Sequence, residues 1–430
     1  MGLFFKQLCK FETLFSAWQH VRSRARKSKS REIRAAAEDF EQTSPQRLRS
    51  IQSRLVKGRY SFPAAEGILK DKNKREKQGK KPRPIVLADI ESRTVQRALL
   101  QCLQPPPTSK LYPHLKILRE INNSKVNYGG TPKGGVPKAL KDVLNALTSN
   151  HIVYFKSDIA AFFTKVPHAK IVNFLLAETD DPEFVDVFTK AMTVQLKNAG
   201  DLKAYLNLFP DNEYGVPQGS ALSALAGNIF LHDVDLVMSG TENIRFIRYI
   251  DDVIILGLSN EALQKAKSVL RKELRKRSLS LYDPATDPDK AAEGHTRNGF
   301  EYLGCLIQKN QIEPGKTTKE NLSKKIAIEI GVAKLNIKKM LESEKLARSR
   351  ETTFVRALSD IDELVRGWAN SFRFANNRHP FGQVDSDLRR QIAAFSDWFA
   401  AQKPSSELQR MRALGIFQTV DAEYRNIEEY

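Results

Sequence analysis

The ten residues RYIDDVIILG, at positions 248–257, place two adjacent carboxylates, Asp251 and Asp252, within an otherwise apolar stretch. Apolar residues on both sides predict two strands that are joined at the acidic pair. Like charges so close together repel each other, and burying either one without a partner is costly. One explanation is a tight turn, because Asp is common in hairpin turns. The other is a cation site, because a divalent ion would reverse the penalty.

Composition narrows the class of protein. The chain has 430 residues, of which 41% are hydrophobic, and this is enough for two or three domains with their own cores. Lys and Arg outnumber Asp and Glu by 69 to 50, so the net charge is +19. An excess of this size indicates a polyanionic partner, with nucleic acid ahead of a membrane surface.

Neither a membrane protein nor a secreted one is predicted. No stretch approaches the roughly 18 consecutive apolar residues of a membrane span. Charged side chains interrupt the first residues, and no signal-peptide cleavage pattern follows them. Cys9, Cys102 and Cys305 lie far apart, which argues against a disulfide framework and against a Cys-based zinc site. We therefore expect a cytoplasmic protein without a membrane partner.

The first 60 residues have the pattern of basic helices. Residues 22–34, RSRARKSKSREIR, carry seven basic side chains against one acidic side chain. Such a one-sided charge favours contact with phosphates, although a solvated helix face or a flexible arm would have the same composition. A second basic run, 70–83, is predicted to be a mobile loop that leads into a strand at RPIVLADI. The predicted RNA contacts of the first run are Arg24, Arg26, Lys27 and Lys29.

Two further segments contribute to a candidate catalytic site. HIVYFKSDIAAFFTKVPH, 151–168, predicts a strand that ends near Asp158, where a lone Asp is commonly a helix cap. GVPQGSALSALAGNIFLHDVD, 215–235, predicts a turn that opens a largely buried helix. If the end of that first strand meets the acidic pair at 251–252, three carboxylates share one sheet surface. Such a set can hold two Mg²⁺ ions about 4 Å apart, which is the arrangement that nucleotidyl transfer needs.

These motifs together resemble a known family. The chain is similar to the bacterial reverse transcriptases of the group II intron, retron and defence-associated lineage, over a span from about Phe11 to about Gln308. The similarity rests on the order and spacing of the motifs. They are RPIVLADIESRTVQRAL, NYGGTPKGG at 127–135, Asp158 with its trailing FF, PQGSALSALAGNIFLHDVD, YIDD, PDKAAEG at 288–294 and FEYLGC at 300–305.

The resemblance implies an α+β fold, a right-hand polymerase with fingers, a palm with an antiparallel sheet, and an α-helical thumb. It divides the chain into a basic helical N-terminal extension (1–60), fingers (61–150), a palm with interleaved fingers elements (151–310) and a maturase-like thumb (311–430). Residues 364–399 resemble the thumb, or maturase-like X domain, of group II intron proteins. There, Arg366 and Arg373 would contact template or structured RNA.

The resemblance also assigns the catalytic roles. Asp158 and Asp251 would bind both Mg²⁺ ions, with the Ile159 carbonyl helping and Asp252 contributing nearby. Lys290 would protonate the departing pyrophosphate, unless it is an ordinary surface lysine.

Further roles concern substrate and primer. Arg83 would meet the triphosphate of the dNTP, and Gln218 and Gly219 would contact the incoming nucleotide. Phe163 falls at the steric gate that excludes a 2′-hydroxyl, although an ordinary core Phe, which we expect of Phe162, is the alternative. The predicted primer contacts are Tyr249, under the primer terminus, and the primer grip of Tyr302, Leu303 and Gly304.

The sequence therefore predicts an RNA-directed DNA polymerase, whose partners are an RNA template, dNTPs and the cDNA product. Within the lineage we favour a defence-associated enzyme that copies a structured noncoding RNA during phage infection. The retron pattern fits less well, because PQGSALSAL lacks the Ser-Pro of that group and the turn is YIDD instead of YADD. The diversity-generating type usually has Ser-Gln in that turn, and this chain does not. An endonuclease-free group II intron maturase and a non-catalytic RNA-binding scaffold are the alternatives.

Overall fold

The computed structural model describes residues 1–28, 30–77, 79–308, 311–342 and 353–421. The chain divides into two compact units, one of Met1–His295 and one that begins at Thr296. The predicted boundaries at 60, 150 and 310 stay a prediction: the fingers segment and the palm segment up to His295 lie within the first unit, whereas the last predicted palm residues, from Thr296, lie within the second. Among the described helices, none combines the length and the apolar character needed to cross a membrane.

The N-terminal part is helical, as its pattern predicts. Trp18 is almost fully buried and packs against Phe40 with ring centroids 4.5 Å apart. These helices share one hydrophobic core with the rest of the first unit. The basic run is therefore anchored by an apolar face in its described part and is not a free arm. The helices are α1 (Leu3–Leu8), α2 (Phe11–Ala25), α3 (Arg31–Gln42) and α4 (Ser44–Val56).

A β-hairpin follows, where a mobile loop was expected. Strands β1 (Glu66–Lys70) and β2 (Arg83–Leu87) pair antiparallel, and Lys70 lies opposite Arg83. A short helix, α5 (Lys72–Glu76), occupies part of the tip. The predicted loop is the connection of this hairpin in its described part, and what the prediction missed is the short helix within it. The run itself lacks the apolar periodicity that would have indicated a helix.

Three helices lead from the hairpin to the central sheet. Helix α6 (Ile90–Leu103) packs on α2 and ends before the three prolines at 105–107, as expected. Helix α7 (Ile117–Asn122) and helix α8 (Val136–Thr148) lie on either side of the glycine-rich loop at 127–135.

The central sheet has the strand order β4-β5-β3-β6, and all its pairs are antiparallel. Residues 253–256 of β5 are all fully buried, which shows that both faces of this strand are covered. The predicted strands on either side of the acidic pair are therefore confirmed. The strands are β3 (Val153–Asp158), β4 (Ile244–Tyr249), β5 (Asp252–Gly257) and β6 (Ala291–His295). Helix α12 (Asn260–Arg275) packs on β3, β4 and β5, and helix α11 (Ser223–Ser239) packs on β4. Helix α9 (His168–Thr179) packs on α11, and helix α10 (Pro182–Met192) packs on α9.

In its described part, the second unit joins a small antiparallel sheet to four α-helices, and the described residues of the predicted thumb are mostly helical. The helices pack around a core that includes Ile326, Ile330, Ile337 and Phe395. The sheet consists of β7 (Phe300–Tyr302), β8 (Cys305–Gln308) and β9 (Gln311–Pro314). The helices are α13 (Lys316–Glu342), α14 (Phe354–Ser371), α15 (His379–Ala400) and α16 (Glu407–Leu414).

Because α2 shares the core of the first unit, truncating its buried face should destabilise that whole unit. We expect Trp18→Ala to lower the free energy of unfolding by about 3–5 kcal/mol. Phe15→Ala is the matched control on the same helix, since Phe15 is 40% exposed, and it should cost under about 1 kcal/mol. Denaturant unfolding followed by circular dichroism measures both. Equal losses for the two variants would contradict the shared core.

Candidate active site

The register of the central sheet brings the predicted carboxylates together. Asp158, at the end of β3, lies opposite Asp252, at the start of β5. Asp251 occupies the two-residue turn between β4 and β5. The backbone N–H of Ile159 donates a hydrogen bond to the Asp251 carbonyl oxygen over 2.8 Å. Segments that are far apart in sequence therefore present their acidic groups at one edge of the sheet.

The turn that carries Asp251 has a strained backbone. Ile250, its first residue, has φ +62°, a value that is rare for a β-branched residue. A two-residue hairpin turn of this kind normally has Gly at that position. The conformation costs of the order of 1–3 kcal/mol and persists only where surrounding contacts impose it.

The glycine-rich loop provides one of these contacts. A Cβ on Gly129 would lie 2.4 Å from the backbone nitrogen of Ile250, so only glycine allows this close approach. Gly130 has φ +70° and packs as closely against Ala224 of α11. The structure places this loop, which the resemblance assigns to the fingers, directly behind the YIDD turn. The spacing of its glycines gave no indication of that contact.

Burial and neighbouring charge raise the pKa of Asp251 and of Asp252. Burial is the main cause of the raised pKa of Asp252, followed by the charges of Asp158 and Asp251, and together they raise it to about 7. Burial and the Asp158 charge also raise the pKa of Asp251, while the nearby cations Lys290 and Arg83 oppose this shift. The site therefore concentrates negative charge that it does not fully neutralise.

Lys290 lies inside this site. Its ammonium forms an ion pair with Oδ2 of Asp158, and its carbonyl oxygen accepts a hydrogen bond from the Asp158 backbone over 3.1 Å. The position of Lys290 follows from the chain that leads into β6, which is the neighbour of β3. Its role as an acid stays a prediction, but the structure places its amine next to the reacting region that the resemblance indicates.

The donors present fit a hard divalent cation. In the described part of the chain, no three His, Cys, Asp or Glu side chains form a ready-made metal site. The Asp158 carboxylate is engaged by Lys290 instead. Carboxylate oxygens are the ligands that Mg²⁺ prefers, and the raised pKa of Asp252 reflects a repulsion that a cation would relieve. Binding would require Asp158 to exchange the ammonium for the ion.

The predicted nucleotide contacts surround this edge. The backbone N–H of Val86, in β2, donates to the Gln218 carbonyl oxygen over 2.8 Å. Gly219 has φ +118°, and a Cβ there would lie 2.7 Å from the Val86 carbonyl oxygen. The PQG turn thus packs on the strand that begins with Arg83. Arg83 in turn is near enough to lower the pKa of Asp251.

The two phenylalanines after Asp158 differ as predicted. Phe162 is 2% exposed, and its ring lies so close to Gly227 of α11 that a Cβ there would be 2.7 Å away. Phe163 is only partly buried, and its carbonyl oxygen accepts a hydrogen bond from the Val216 N–H over 2.7 Å. The second ring therefore lies at the surface of the core, beside the segment that leads into the PQG turn.

The predicted primer contacts are divided between the two units. Tyr249 is the last residue of β4, next to the acidic turn. Leu303 and Gly304 form the turn between β7 and β8 with positive φ values, while the Tyr302 side chain is buried. In this turn, only Leu303 and Gly304 have surface for a primer to contact.

The predicted RNA contacts are mostly exposed and partly paired. Arg26 forms an ion pair with Glu41 over 2.8 Å, and Arg366 forms one with Asp362 over 2.6 Å. Such exposed pairs are weak, so phosphates can compete for these side chains. The remaining residues are Arg24, Lys27 and Arg373, which are exposed, and Lys29, which lies outside the described residues.

Comparison with known proteins gives the family. A model of the reverse transcriptase (RNA-dependent DNA polymerase) family matches residues 73–307. The YkfC protein of Escherichia coli K12 is 24% identical over 303 residues, covering 61% of this chain and 71% of that protein. An uncharacterized 91 kDa protein in a cob intron of Schizosaccharomyces pombe is 27% identical over 185 residues, covering 43% and 20%.

Solved structures show more distant similarity. A chain of a Cas6-RT-Cas1–Cas2 complex is 19% identical, with a TM-score of 0.34, and the match covers 64% of this chain and 42% of that one. Telomerase from Candida albicans, in complex with a fragment of telomeric RNA, is 12% identical, with a TM-score of 0.41 and coverages of 81% and 62%. This chain thus spans less than half of the Cas6-RT-Cas1 chain and a fifth of the cob-intron protein.

The family match begins within the β1–β2 hairpin, includes every strand of the central sheet, and ends within β8 of the second unit. It covers more than half of the chain, and it confirms the predicted α+β fold of a right-hand polymerase. The chain belongs to the reverse transcriptase family of RNA-directed DNA polymerases.

Proposed function

We propose that this polymerase adds dNTPs to a primer on an RNA template at the edge formed by Asp158, Asp251 and Asp252, with two Mg²⁺ ions as cofactors. The observation that carries the proposal is the convergence of these three carboxylates, where burial, followed by the charges of Asp158 and Asp251, raises the pKa of Asp252 to about 7. When bound, the two ions would activate the 3′-hydroxyl of the primer and neutralise the triphosphate.

The chain's own residues would order the reactants. Arg83, at the start of β2, would bind the triphosphate, while Gln218 and Gly219 would contact the incoming nucleotide from the turn packed on that strand. Lys290 would leave Asp158 as the site fills and then hold a proton near the departing pyrophosphate. Phe163 would close the space beside the sugar C2′ atom.

The template is proposed to be a structured noncoding RNA, copied in the cytoplasm during antiphage defence. The charge of +19 supports a polyanionic partner, and the defence role rests on the resemblance of the motifs. The partial similarity to a protein in a cob intron favours intron maturation as a second candidate. Sequencing of the RNA and cDNA that co-purify with the protein separates the two, because a maturase would carry intron RNA.

Loss of the metal ligands should abolish synthesis. We expect Asp251→Asn with Asp252→Asn to lower primer extension on an RNA template below detection, since the charges that hold the ions are removed. RNA binding should be retained, because it depends on basic surfaces. Asp233→Asn is the control, as this carboxylate is 76% exposed on α11. Extension by the double variant at the wild-type rate would refute the assignment of the active site.

The raised pKa of Asp252 predicts two linked pH effects. Apparent affinity for Mg²⁺ should fall roughly tenfold per pH unit below about 7, because the proton then competes with the ion, and it should level off above that value. In the metal-free protein, the raised pKa stabilises the fold at low pH. That contribution is lost as the pH rises toward about 7, at up to about 1.4 kcal/mol per pH unit.

Unfolding in EDTA between pH 5 and 8 measures the second effect. Wild type should lose stability relative to Asp252→Asn over this interval, and Mg²⁺ should restore it at pH 8. An identical pH dependence in the two proteins would show that Asp252 titrates near its ordinary value.

Phe163 should determine sugar selection. Phe163→Ala should raise the ratio of rNTP to dNTP incorporation by about tenfold or more, equivalent to about 1.4 kcal/mol, because the ring no longer excludes the 2′-hydroxyl. Phe162→Ala should leave that ratio unchanged and lower stability by about 3–5 kcal/mol, because its ring is buried. Competition assays with labelled nucleotides measure both. A reversal of the two results would move the gate to Phe162.

The basic surface of α2 and the residues after it should supply a salt-dependent part of RNA affinity. Replacing Arg24, Arg26 and Lys27 with Gln should flatten the slope of log K against log salt by roughly 0.7–0.9 for each phosphate that the variant no longer binds. The matched control replaces three exposed basic residues of α12 with Gln and should leave the slope unchanged. Filter binding with the co-purifying RNA tests this, and equal slopes for wild type and the first variant would contradict it. The control residues are Lys265, Lys272 and Arg275.

A further inference from the structure

A buried arginine supports the turn that carries Asp251. Arg248 belongs to β4 and is only 1% exposed. Its guanidinium binds the Asp235 carboxylate of α11 through Nε, over 2.7 Å, and through Nη2. Its Nη1 donates to Oδ1 of Asn228, over 3.0 Å, and to the carbonyl oxygen of Ile250, over 2.9 Å. One side chain thus joins the helix to the strained turn.

The backbone around Arg248 is fixed as well. Its N–H donates to the Val126 carbonyl oxygen over 2.8 Å, and its carbonyl oxygen accepts from the Tyr128 N–H over 2.9 Å. Asn228 completes the connection, because its amide nitrogen donates to the Gly129 carbonyl oxygen over 2.8 Å. The guanidinium therefore has little freedom to move away from the turn.

This arrangement explains how the strained turn persists. The carbonyl oxygen of Ile250 is held by Arg248, and that of Asp251 is held by the Ile159 N–H. Without the first of these hydrogen bonds, the peptide between Ile250 and Asp251 could rotate, which would change ψ of Ile250 and φ of Asp251. Rotation would turn the Asp251 carboxylate away from Asp158.

We propose that Arg248 is a positioning residue, which holds the Ile250 carbonyl and so keeps Asp251 directed at the metal site. It contacts neither substrate nor metal. The inference rests on the proposed function in one respect only, which is that the carboxylates bind a divalent ion. The competing explanation is that Arg248 only neutralises the buried Asp235, a role that any cation at this position would fill.

Two substitutions separate these explanations. Arg248→Lys keeps a cation beside Asp235, but a single ammonium cannot reproduce the two-sided contact with Asp235 and the Ile250 carbonyl. Ile250→Gly gives a residue that adopts φ +62° without strain and so removes the need for support. Each variant and their combination are compared with wild type.

The main measurement is a Mg²⁺ titration in which the unfolding temperature is followed. Its midpoint is the Mg²⁺ concentration that gives half of the maximal rise in unfolding temperature, and this measurement requires no DNA synthesis. Arg248→Lys should raise this midpoint about tenfold or more, as is usual when support for a metal ligand is removed. Adding Ile250→Gly should return it to within about threefold of wild type. In steady-state extension, kcat should fall and recover in parallel, with KM for dNTP little changed.

Arg245→Lys is the matched control. Arg245 lies on the same strand and binds the Asp142 carboxylate through Nε and Nη2, over 2.9 and 2.6 Å, but it does not reach the turn. Its replacement should leave the Mg²⁺ midpoint unchanged. If Arg248→Lys does not fold, the double variant Arg248→Gln with Asp235→Asn replaces it, since it leaves no unpaired buried carboxylate. This double variant should show the same rise in the Mg²⁺ midpoint and the same rescue by Ile250→Gly.

Three results would overturn the inference, and the first two are a wild-type Mg²⁺ midpoint in a folded Arg248 variant and a loss that Ile250→Gly does not rescue. A wild-type protein whose stability responds to neither Mg²⁺ nor Mn²⁺ would overturn it too. If wild type responds to Mg²⁺ but makes no DNA on RNA, the proposed function fails and the positioning role stands, because the midpoint does not depend on synthesis.

Discussion

Electrostatic repulsion among Asp158, Asp251 and Asp252 is the constraint on which the first unit depends. The edge of the central sheet brings the three carboxylates together, where burial and the charge of Asp158 raise the pKa of both Asp251 and Asp252. Hydrophobic burial of the adjoining strand offsets the unfavourable free energy of this cluster, since residues 253–256 are fully buried. A folded chain that keeps such a cluster has a site ready for positive charge, which Lys290 supplies in part.

Directing these groups requires fixed backbone as well as hydrophobic burial. The β3–β5 register sets Asp158 against Asp252, and the Ile159 N–H ties Asp251 to the same strand end. Gly129 can contact the backbone of the turn closely because it has no side chain. The strain at Ile250 is thus a local consequence of contacts made by Gly129, Ile159 and Arg248, which come from three different parts of the chain. This is why the turn can hold a β-branched residue where glycine would be the relaxed choice.

The sequence predicted those features that have a local signal. Strands around the acidic pair follow from runs of apolar, β-branched residues, and the end of α6 follows from its prolines. The buried Arg248–Asp235 pair was not predicted, because in a chain of charge +19 one more arginine indicates a surface. A signal was available: Asn228 and Asp235 are two helical turns apart and so lie on one face of an otherwise apolar helix. Polar groups on a buried face need a hydrogen-bonding partner, and Arg248 is the partner of both side chains.

The fold also connects the predicted RNA contacts to the proposed active site through packed helices. Helix α2, which contains Arg24 and leads into the other predicted contacts of that run, packs on α6, and α6 begins shortly after the end of β2. Strand β2 starts with Arg83 and is hydrogen-bonded to the PQG turn. An RNA bound as we propose at the basic end of α2 would therefore be connected, through the core that α2 shares with α6 and the central sheet, to the proposed metal ligands. Because close-packed cores deform little, folding itself would then set the distance between the bound RNA and those carboxylates.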